Sequence, residues 1–203
     1  MTASLFEAER IRLAPPDPEH DAKVESSWTH DAEYQRLLSA APARPLSPSQ
    51  VKEKYEAIEK EHDKQFYFAV RTREADGPGR LLGFAQLEWV DWLHGAARLN
   101  LGIGAPADRG QGFGSQAARL ILNYAFDELG LHRVAAISFE YNPRAARFLE
   151  RHGFSLEVRQ RRAVQRDFRR WDTLHYGLLR SEWAALRAER SAAGETSGGD
   201  AGR

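Results

Sequence analysis

The chain has 203 residues, which is enough for one domain with a sizeable core. Its 29 basic and 29 acidic residues cancel, so no global field holds nucleic acid or an anionic membrane. The absence of cysteine excludes disulfides, thiolate metal sites and a cysteine nucleophile. No apolar run reaches the length of a membrane span and no signal peptide is recognisable, so we expect a cytoplasmic protein.

The N-terminal part of the chain mixes one predicted strand with helices and loops. Residues 5–14 alternate apolar and charged side chains, which predicts a half-buried strand. Residues 17–28 are expected to form a short helix. Residues 29–48 are expected to form a loop, which is rich in Ala and Pro from residue 38. If the protein is an enzyme, this loop is expected to contact the acceptor substrate. Ser47 or Ser49 can then cap a helix that carries apolar side chains on one face.

Two strands are predicted next, over residues 66–73 and 81–90. They are joined by residues 74–80, which contain Asp-Gly and Pro-Gly, so the pair forms a hairpin. Residues 91–96 form a loop that leads into a further short apolar strand.

The most informative stretch begins with that strand, residues 99–103, and continues with R-G-Q-G-F-G at residues 109–114 before a helix starts. Glycines at alternate positions permit a tight turn, and the free N–H groups of the turn and of the helix start form an anion cradle. The spacing fits neither the Gly-Lys-Ser/Thr end of a Walker loop nor the G-x-G-x-x-G dinucleotide fingerprint. The stretch therefore predicts a site for a phosphate-bearing ligand, unless the glycines only connect a strand to a helix.

The C-terminal half alternates helices and strands. The helix after Gly114 has an apolar stripe that consists of Ala118, Leu122, Ala125 and Leu129. Residues 133–139 predict a buried strand, after which Asn142 and Pro143 open a helix that Gly153 closes. Residues 156–165 and 173–179 predict a last hairpin. Together these elements make one mixed α/β domain over residues 1–183, and residues 184–203 are expected to form a disordered tail.

Several motifs then coincide in order and spacing. The pattern Arg109-x-x-Gly112-x-Gly114 is followed by a helix, a strand, Asn142 and the run FLERHGF at residues 148–154. The sequence resembles the GNAT acetyltransferases, of the branch that includes bacterial ribosomal-protein N-terminal acetyltransferases and spermidine acetyltransferase. The resemblance covers about residues 5–183. It implies a mostly antiparallel sheet, flanked by helices, whose fourth and fifth strands (residues 100–103 and 133–139) splay apart.

The resemblance also implies a cosubstrate, acetyl-CoA, and no metal. The pantetheine arm would pair with the exposed strand backbone, and the pyrophosphate would lie on the N–H groups of the glycine-rich turn. The residues expected to bind acetyl-CoA are Leu101, Gly102, Ile103, Arg109, Gly110, Gln111, Gly112, Phe113, Gly114, Ser115 and Asn142. Asn142 can also act simply as a helix N-cap, and the two roles are compatible.

The reaction that the resemblance implies is direct attack of a neutral primary amine on the thioester, in a ternary complex. The amine would belong to a protein N-terminus or to a small molecule. Acetyl and longer acyl groups both remain open, and a homodimer is compatible with the resemblance. Neither nucleic acid nor a membrane is expected as a partner.

Two departures from the family pattern concern the acid that protonates the leaving thiolate. The tyrosine that many members carry four residues before the Gly-Phe pair is Leu149 here, and the serine found three residues after the asparagine is Ala145. The departures keep open a second hypothesis, a non-catalytic or regulatory protein that binds acyl-CoA.

Glu88 and Glu140 are the two candidates for the catalytic base. Glu88 lies in an otherwise apolar strand, where burial beside a cleft would raise its pKa, although the exposed strand face is the simpler interpretation. Glu140 precedes Asn142 at the mouth of the splay, or is an ordinary loop carboxylate. Weaker candidates are Asp91, His94, Tyr141, Asp172 and His175.

Aromatic and basic side chains add two further features. Trp89 and Trp92 either line an acceptor pocket or pack against the hairpin. Six arginines occur between residues 159 and 170, where alternating hairpin positions make most of them a solvated face. They would otherwise attract an acidic acceptor or a protein partner, and they disfavour a polyamine, because polycations would be repelled.

Overall fold

A seven-stranded sheet organises the protein, whose computed structural model describes residues 4–198. The elements, in chain order, are β1 (Ile11–Ala14), α1 (Asp21–Trp28), α2 (Ala32–Leu38), α3 (Pro48–Lys60), β2 (Phe66–Thr72), β3 (Leu81–Asp91), β4 (Ala96–Ile103), α4 (Phe113–Asn123), β5 (Arg133–Phe139), α5 (Pro143–Arg151), β6 (Ser155–Arg166), β7 (Arg169–Leu179) and α6 (Arg180–Gly198). A 3₁₀ turn at Pro106–Asp108 precedes α4, and a π-helical turn at Tyr124–Glu128 extends it.

The strands are arranged in the order β1-β2-β3-β4-β5-β7-β6. Every neighbouring pair is antiparallel except β4 and β5, which are parallel. The parallel pairing joins residues 96–99 to residues 133–136 and stops there, although both strands continue. The predicted mixed sheet, splayed between its fourth and fifth strands, is therefore confirmed.

The main core lies between the sheet and α4. The stripe predicted on this helix is correct: Ala118, Leu122 and Ala125 are completely buried, and Leu129 packs against the same cluster. Val134 of β5 and Leu178 of β7 are equally buried. This packing fixes α4 against the sheet, and with it the glycine-rich turn at its start.

Local sequence signals determine several helix ends. The Ser47 hydroxyl accepts a hydrogen bond from the Gln50 N–H, and the Gln50 side chain accepts one from the Ser47 N–H, so α3 begins with a complete capping box. The Asn142 Oδ1 accepts from the Ala145 N–H at 3.1 Å, which makes Asn142 the N-cap of α5, as expected.

The structure differs from the sequence predictions in three places. Residues 29–48 are not a continuous loop, because α2 forms within them, capped by Asp31. The first strand is limited to residues 11–14. Residues 184–198, expected to be disordered, continue α6, because Ala, Arg and Glu favour helix and Trp183 anchors its start in the core; residues 199–203 lie outside the described residues. None of the helices within residues 4–198 is both long and apolar enough to cross a membrane.

Candidate functional site

The open part of the β4–β5 pair, which we call the splay, lies between residues 100–103 and residues 137–139. The outer edge of β4 pairs with β3 throughout this part, and the Gly104 N–H donates to the Leu82 carbonyl at 2.9 Å. Because hydrogen-bonded and non-hydrogen-bonded pairs alternate in an antiparallel ladder, the N–H and C=O groups of Leu101 and Ile103 point the other way, into the splay. The splay therefore offers the N–H and C=O groups of Leu101 and the N–H group of Ile103, whereas the Ile103 carbonyl accepts from the Arg109 guanidinium at 3.1 Å.

The glycine-rich turn lies at the same end as the open strand edge. Gly110 and Gly112 have φ values of +80° and +88°, which side chains rarely adopt. Gly112 is the N-cap of α4 and supplies no side-chain cap, and a Cβ at Gly112 would meet nothing within 4 Å. The first N–H groups of α4 are thus available to an anion, which fits the predicted phosphate cradle.

Arg10, which the sequence analysis overlooked, holds the turn from outside. Its guanidinium donates to the Gln111 carbonyl at 3.0 Å and lies 4.4 Å from the centre of the Phe113 ring. The Gln111 side chain donates to the Ala107 carbonyl at 2.6 Å. Only the contact of Arg10 with a residue 101 positions away reveals this role, so no local sequence signal could have found it.

Arg109, a predicted cofactor residue, is directed towards the protein. Its guanidinium donates to the carbonyls of Ile103 and Gly104, at 3.1 and 2.5 Å, and contacts Asp31 at 3.2 Å. The pKa of Asp31 is lowered, mainly by the hydrogen bond from the Tyr34 N–H and to a smaller extent by the one from Arg109. Partial burial, which by itself raises the pKa, does not cancel these bonds. In this structure Arg109 therefore fastens the end of β4 to the start of α2.

Helix α2 lies beside the open end of the splay. The Tyr141 hydroxyl donates to the Arg36 carbonyl at 2.9 Å, and the Asn142 side chain approaches the Leu37 carbonyl at 3.4 Å. Tyr34 of the same helix lies near Gly102 of β4, where an added Cβ would be 3.1 Å from its hydroxyl. Helix α2 thus contacts both strands, and residues predicted as a loop help to shape the site.

Glu140 directly follows β5 and is hydrogen-bonded to Asp172 of β7. Its Oε2 accepts from the Asp172 N–H at 3.1 Å, and its own N–H donates to the Asp172 carbonyl. Among residues 4–198, its other carboxylate oxygen has no hydrogen-bond partner. Asp172 is engaged elsewhere, because it accepts from the Arg162 N–H and contacts Arg159 at 3.4 Å.

Glu88 is placed differently from the prediction. It is opposite Arg98, in the part where β4 and β5 are still paired, and the Arg98 guanidinium contacts its Oε1 at 2.7–2.8 Å. The structure therefore does not bring Glu88 to the open end of the splay.

The remaining candidates have local explanations. The Asp91 carboxylate accepts from the His94 N–H, and the Trp92 indole donates to the Asp63 carbonyl at 2.7 Å. The Arg98 guanidinium carbon is 3.4 Å from the centre of the Trp89 ring, and Trp92 contacts Phe66 edge-on, while 68% of Trp89 and 52% of Trp92 remain exposed. His175 lies between Ile137 and Val158 in the strand register. Burial raises the pKa of Tyr141, an effect that the neighbouring Arg166 opposes.

Arg144 is a second residue that the sequence analysis did not select. It is exposed on the first turn of α5, and its Nη2 would lie 3.7 Å from a Cβ at Gly110. An exposed cation beside an uncapped helix start adds to the positive potential of the turn. Within the described part of the chain, no group of three or more His, Asp or Glu side chains could hold a metal ion.

Comparison with known proteins agrees with this geometry. A family model described as an acetyltransferase (GNAT) domain matches residues 10–155. The chain belongs to this family. A solved structure of spermidine N-acetyltransferase from Vibrio cholerae, in complex with CoA and spermine, has the same fold as this GNAT protein: the TM-score is 0.75 with 21% sequence identity, covering 86% of this chain and 98% of the other.

Curated relatives are similar over shorter stretches. The probable N-acetyltransferase YjcK of Bacillus subtilis (strain 168) is 34% identical over 108 residues, or 52% of this chain and 56% of the relative. The spermidine N(1)-acetyltransferase of Vibrio cholerae is 27% identical over 104 residues, or 50% of this chain and 60% of the relative. The chain thus spans about half the length of these relatives, and their activities are not transferred to it directly.

Proposed function

We propose that this GNAT protein transfers the acetyl group of acetyl-CoA to a primary amine, by direct attack in a ternary complex. The observation that carries the proposal is the coincidence of two features at one end of the sheet. One is the open strand edge at Leu101 and Ile103, and the other is the uncapped start of α4 at Gly112. A long ligand that ends in phosphates needs both.

The binding residues proposed are those that the resemblance named, except that Arg109 holds the end of β4 rather than facing the ligand. The backbone of residues 101–103 would pair with the pantetheine arm, and the N–H groups of residues 110–115 would receive the pyrophosphate. A strand N–H at Leu101 or Ile103 is also suited to donate to the oxyanion that develops on the thioester carbonyl. Asn142, which caps α5 directly after β5, is proposed to contact the pantetheine as well.

Glu140 is the better of the two candidate bases. It follows β5 at the open end, and one of its carboxylate oxygens is free of hydrogen bonds within residues 4–198. Glu88 is held by Arg98 where the strands are still paired. We expect Glu140→Gln to lower kcat by about 10²–10³, the contribution of a positioned base, while the acetyl-CoA Kd stays unchanged. A rate for Glu140→Gln equal to that of the wild type would exclude Glu140 as the base.

Calorimetric titration of acetyl-CoA tests the binding site. Gly112 is unsuitable for substitution by Glu, because its φ of +88° strains any side chain. Ser115 is the third residue of α4, where a carboxylate favours the helix but repels pyrophosphate. We expect Ser115→Glu to bind at least tenfold more weakly, about 1.4 kcal/mol, whereas the uncharged control Ser115→Gln binds within a few-fold of wild type. Equal affinities for the two variants would remove the turn as the site.

One observation supports the second function, acyl-CoA binding without catalysis. Leu149 and Ala145 have no hydroxyl group that could protonate the leaving thiolate, and Leu149 is buried in the core. A thiol is only modestly basic and can leave unprotonated, so the lack does not by itself prevent transfer. Release of CoA with any amine distinguishes the two functions, because the second predicts binding without turnover.

A further inference from the structure

A cleft of about 450 Å³ lies between the tip of the β6–β7 hairpin and the end of α2. Arg36 and residues 42–43 line one side, and residues 165–168 line the other; we call it the hairpin cleft. One lining residue, Arg36, is beside the chain that follows β5, because its carbonyl accepts from Tyr141, the second residue after that strand. A volume of this size suits a small molecule or the end of a peptide.

Two buried donors of this hairpin have no acceptor among residues 4–198. The Arg166 Nη2 donates to the carbonyls of Ser39 and Ala41, at 3.0 and 2.9 Å, which immobilises the guanidinium. The Nε of Arg166 and the Nε1 of Trp171 are nevertheless buried without a hydrogen-bond partner in the described part of the chain. The Tyr141 ring contacts Trp171 edge-on, with 5.7 Å between the ring centres. Buried polar groups are normally paired, so the unpaired Nε of Arg166, a residue that lines the cleft, favours a ligand that brings an oxygen acceptor.

The charge around the hairpin cleft is positive. Arg36 forms a single contact with Asp167 at 3.3 Å, with 46% and 75% of the two side chains exposed, which makes the pair weak and easily exchanged. Arg159 neutralises Asp172, the nearest other acid on β7. The exposed hairpin arginines at positions 161, 162, 169 and 170 add further positive charge. Such a surface attracts anions and repels polycations.

We propose that the acceptor is an anionic amine, in which a carboxylate bound by Arg36 and Arg166 in the hairpin cleft presents a nearby primary amino group to the splay. The inference rests on the proposed function and names its acceptor class. The amine nitrogen forms a bond to the acetyl carbonyl carbon, the carbon–sulfur bond breaks, and the electron pair leaves with the CoA thiolate. The amine proton passes to Glu140 or to water. A free acidic amino acid and a peptide N-terminus with acidic residues share this chemistry.

The test compares acceptors at constant acetyl-CoA, after titration has established that the wild type binds acetyl-CoA. Four probes separate charge from source: glutamate and spermidine as small molecules, and two short peptides with either Glu or Lys at the second and third positions. We expect CoA release to be at least tenfold faster with the anionic member of each pair, and the better pair identifies the source. Faster turnover of spermidine or of the Lys peptide would overturn the proposal.

The variant Arg36→Gln tests the cleft itself. Loss of one charge-assisted contact should raise the KM of the anionic amine about tenfold or more, with kcat and the acetyl-CoA Kd nearly unchanged. Arg187 on α6 is the matched control, since 46% of its side chain is also exposed and it also pairs with an aspartate, Asp127. Arg187→Gln should leave the KM, kcat and the acetyl-CoA Kd unchanged. An unchanged KM in Arg36→Gln would overturn the proposal.

If the wild type acetylates none of the four probes, a direct binding measurement tests the proposal instead. N-acetylglutamate is the product that acetylation of glutamate would give, and it keeps both carboxylates. It is titrated into the CoA-bound wild type and into the CoA-bound Arg36→Gln variant. Binding to the wild type that weakens in the variant supports the cleft. Absence of binding overturns the inference, whereas a wild type that fails to bind acetyl-CoA at all overturns the proposed function instead.

Discussion

Two turns flank the splay, and they meet the same backbone requirement with different residues. At the start of α4, the positive φ values fall on Gly110 and Gly112. At the tip of the β6–β7 hairpin they fall on Asp167 and Phe168, with φ values of +49° and +59°, as in a type I′ turn without its usual glycine. Phe168 is moreover fully exposed. The first turn is relaxed, whereas the second holds strain, which tends to occur where function selects the side chain.

The ion pair beside the glycine-rich turn is also tighter than the ion pair at the hairpin tip. Asp108, 7% exposed and just before the glycine-rich turn, receives two hydrogen bonds from Arg80, at 2.7 and 2.9 Å. Asp167, at the hairpin tip, has one longer contact with Arg36. The glycine-rich turn is therefore rigidly held, and the hairpin tip is held loosely enough to exchange a partner.

The largest expected effect is at the bidentate pair. Asp108→Ala should lower the free energy of unfolding by about 2–3 kcal/mol, because a nearly buried carboxylate with two charge-assisted bonds is lost. The half-exposed Arg80 can hydrate, which keeps the cost below that of a fully buried pair. Urea denaturation of the variant and of wild type measures the difference. A loss below about 1 kcal/mol would contradict the conclusion that the Arg80–Asp108 pair holds the glycine-rich turn rigidly.

The same pair has a pH dependence of known sign. Hydrogen bonding from Arg80 lowers the pKa of Asp108 in the folded state below its usual 3.8. Its contribution to stability is therefore complete above about pH 4 and is lost as the pH falls through the folded-state pKa. Wild type should lose more stability than Asp108→Asn between pH 5 and pH 2.5, and parallel curves would contradict this assignment.

The glycine-rich turn itself gives the next effect. Gly112→Ala should cost about 1–2 kcal/mol through its φ of +88°, although nothing obstructs the new methyl group. Gly114→Ala is the matched control: it lies within α4, and its methyl group would find ordinary contacts at 3.7 Å. We expect Gly114→Ala to be neutral or stabilising by up to about 1 kcal/mol. Thermal unfolding of both variants measures the difference, and equal losses would mean that the backbone conformation is not what requires glycine.

The contrast between the turns also explains what the sequence could predict. The glycine-rich turn, the stripe on α4 and the Asn142 cap depend on neighbours in sequence, so glycine spacing, periodicity and capping signals sufficed. Helix α2 has seven residues and only Tyr34 buried, so no periodic signal announced it. The Arg98 contact that occupies Glu88 depends on strand register, and the hairpin cleft joins residues more than 120 positions apart. Such long-range pairings leave no local pattern.

A smaller effect of opposite sign is expected at the hairpin tip. Phe168→Gly should stabilise the fold by about 0.5–1 kcal/mol, because glycine accepts positive φ without strain, less its own entropic cost. The same change removes a wall of the hairpin cleft, so the KM of an anionic amine should rise several-fold. Thermal unfolding and acceptor kinetics measure the two effects. A variant that is less stable than wild type would show that the tip holds no strain.

The smallest expected effect on stability is at Asp167, and its effect on the acceptor has the opposite sign to that of Arg36→Gln. Asp167→Ala removes one exposed ion pair, which costs less than about 1 kcal/mol. It also frees the Arg36 guanidinium and removes a carboxylate that competes with the acceptor, so the KM of an anionic amine should fall several-fold while that of a neutral amine is unchanged. A double-mutant cycle with Arg36→Gln isolates the pair, because the gain should vanish once Arg36 is gone. A gain that persists in the double variant would mean that Asp167 acts on the acceptor directly, through repulsion, rather than through its hold on Arg36.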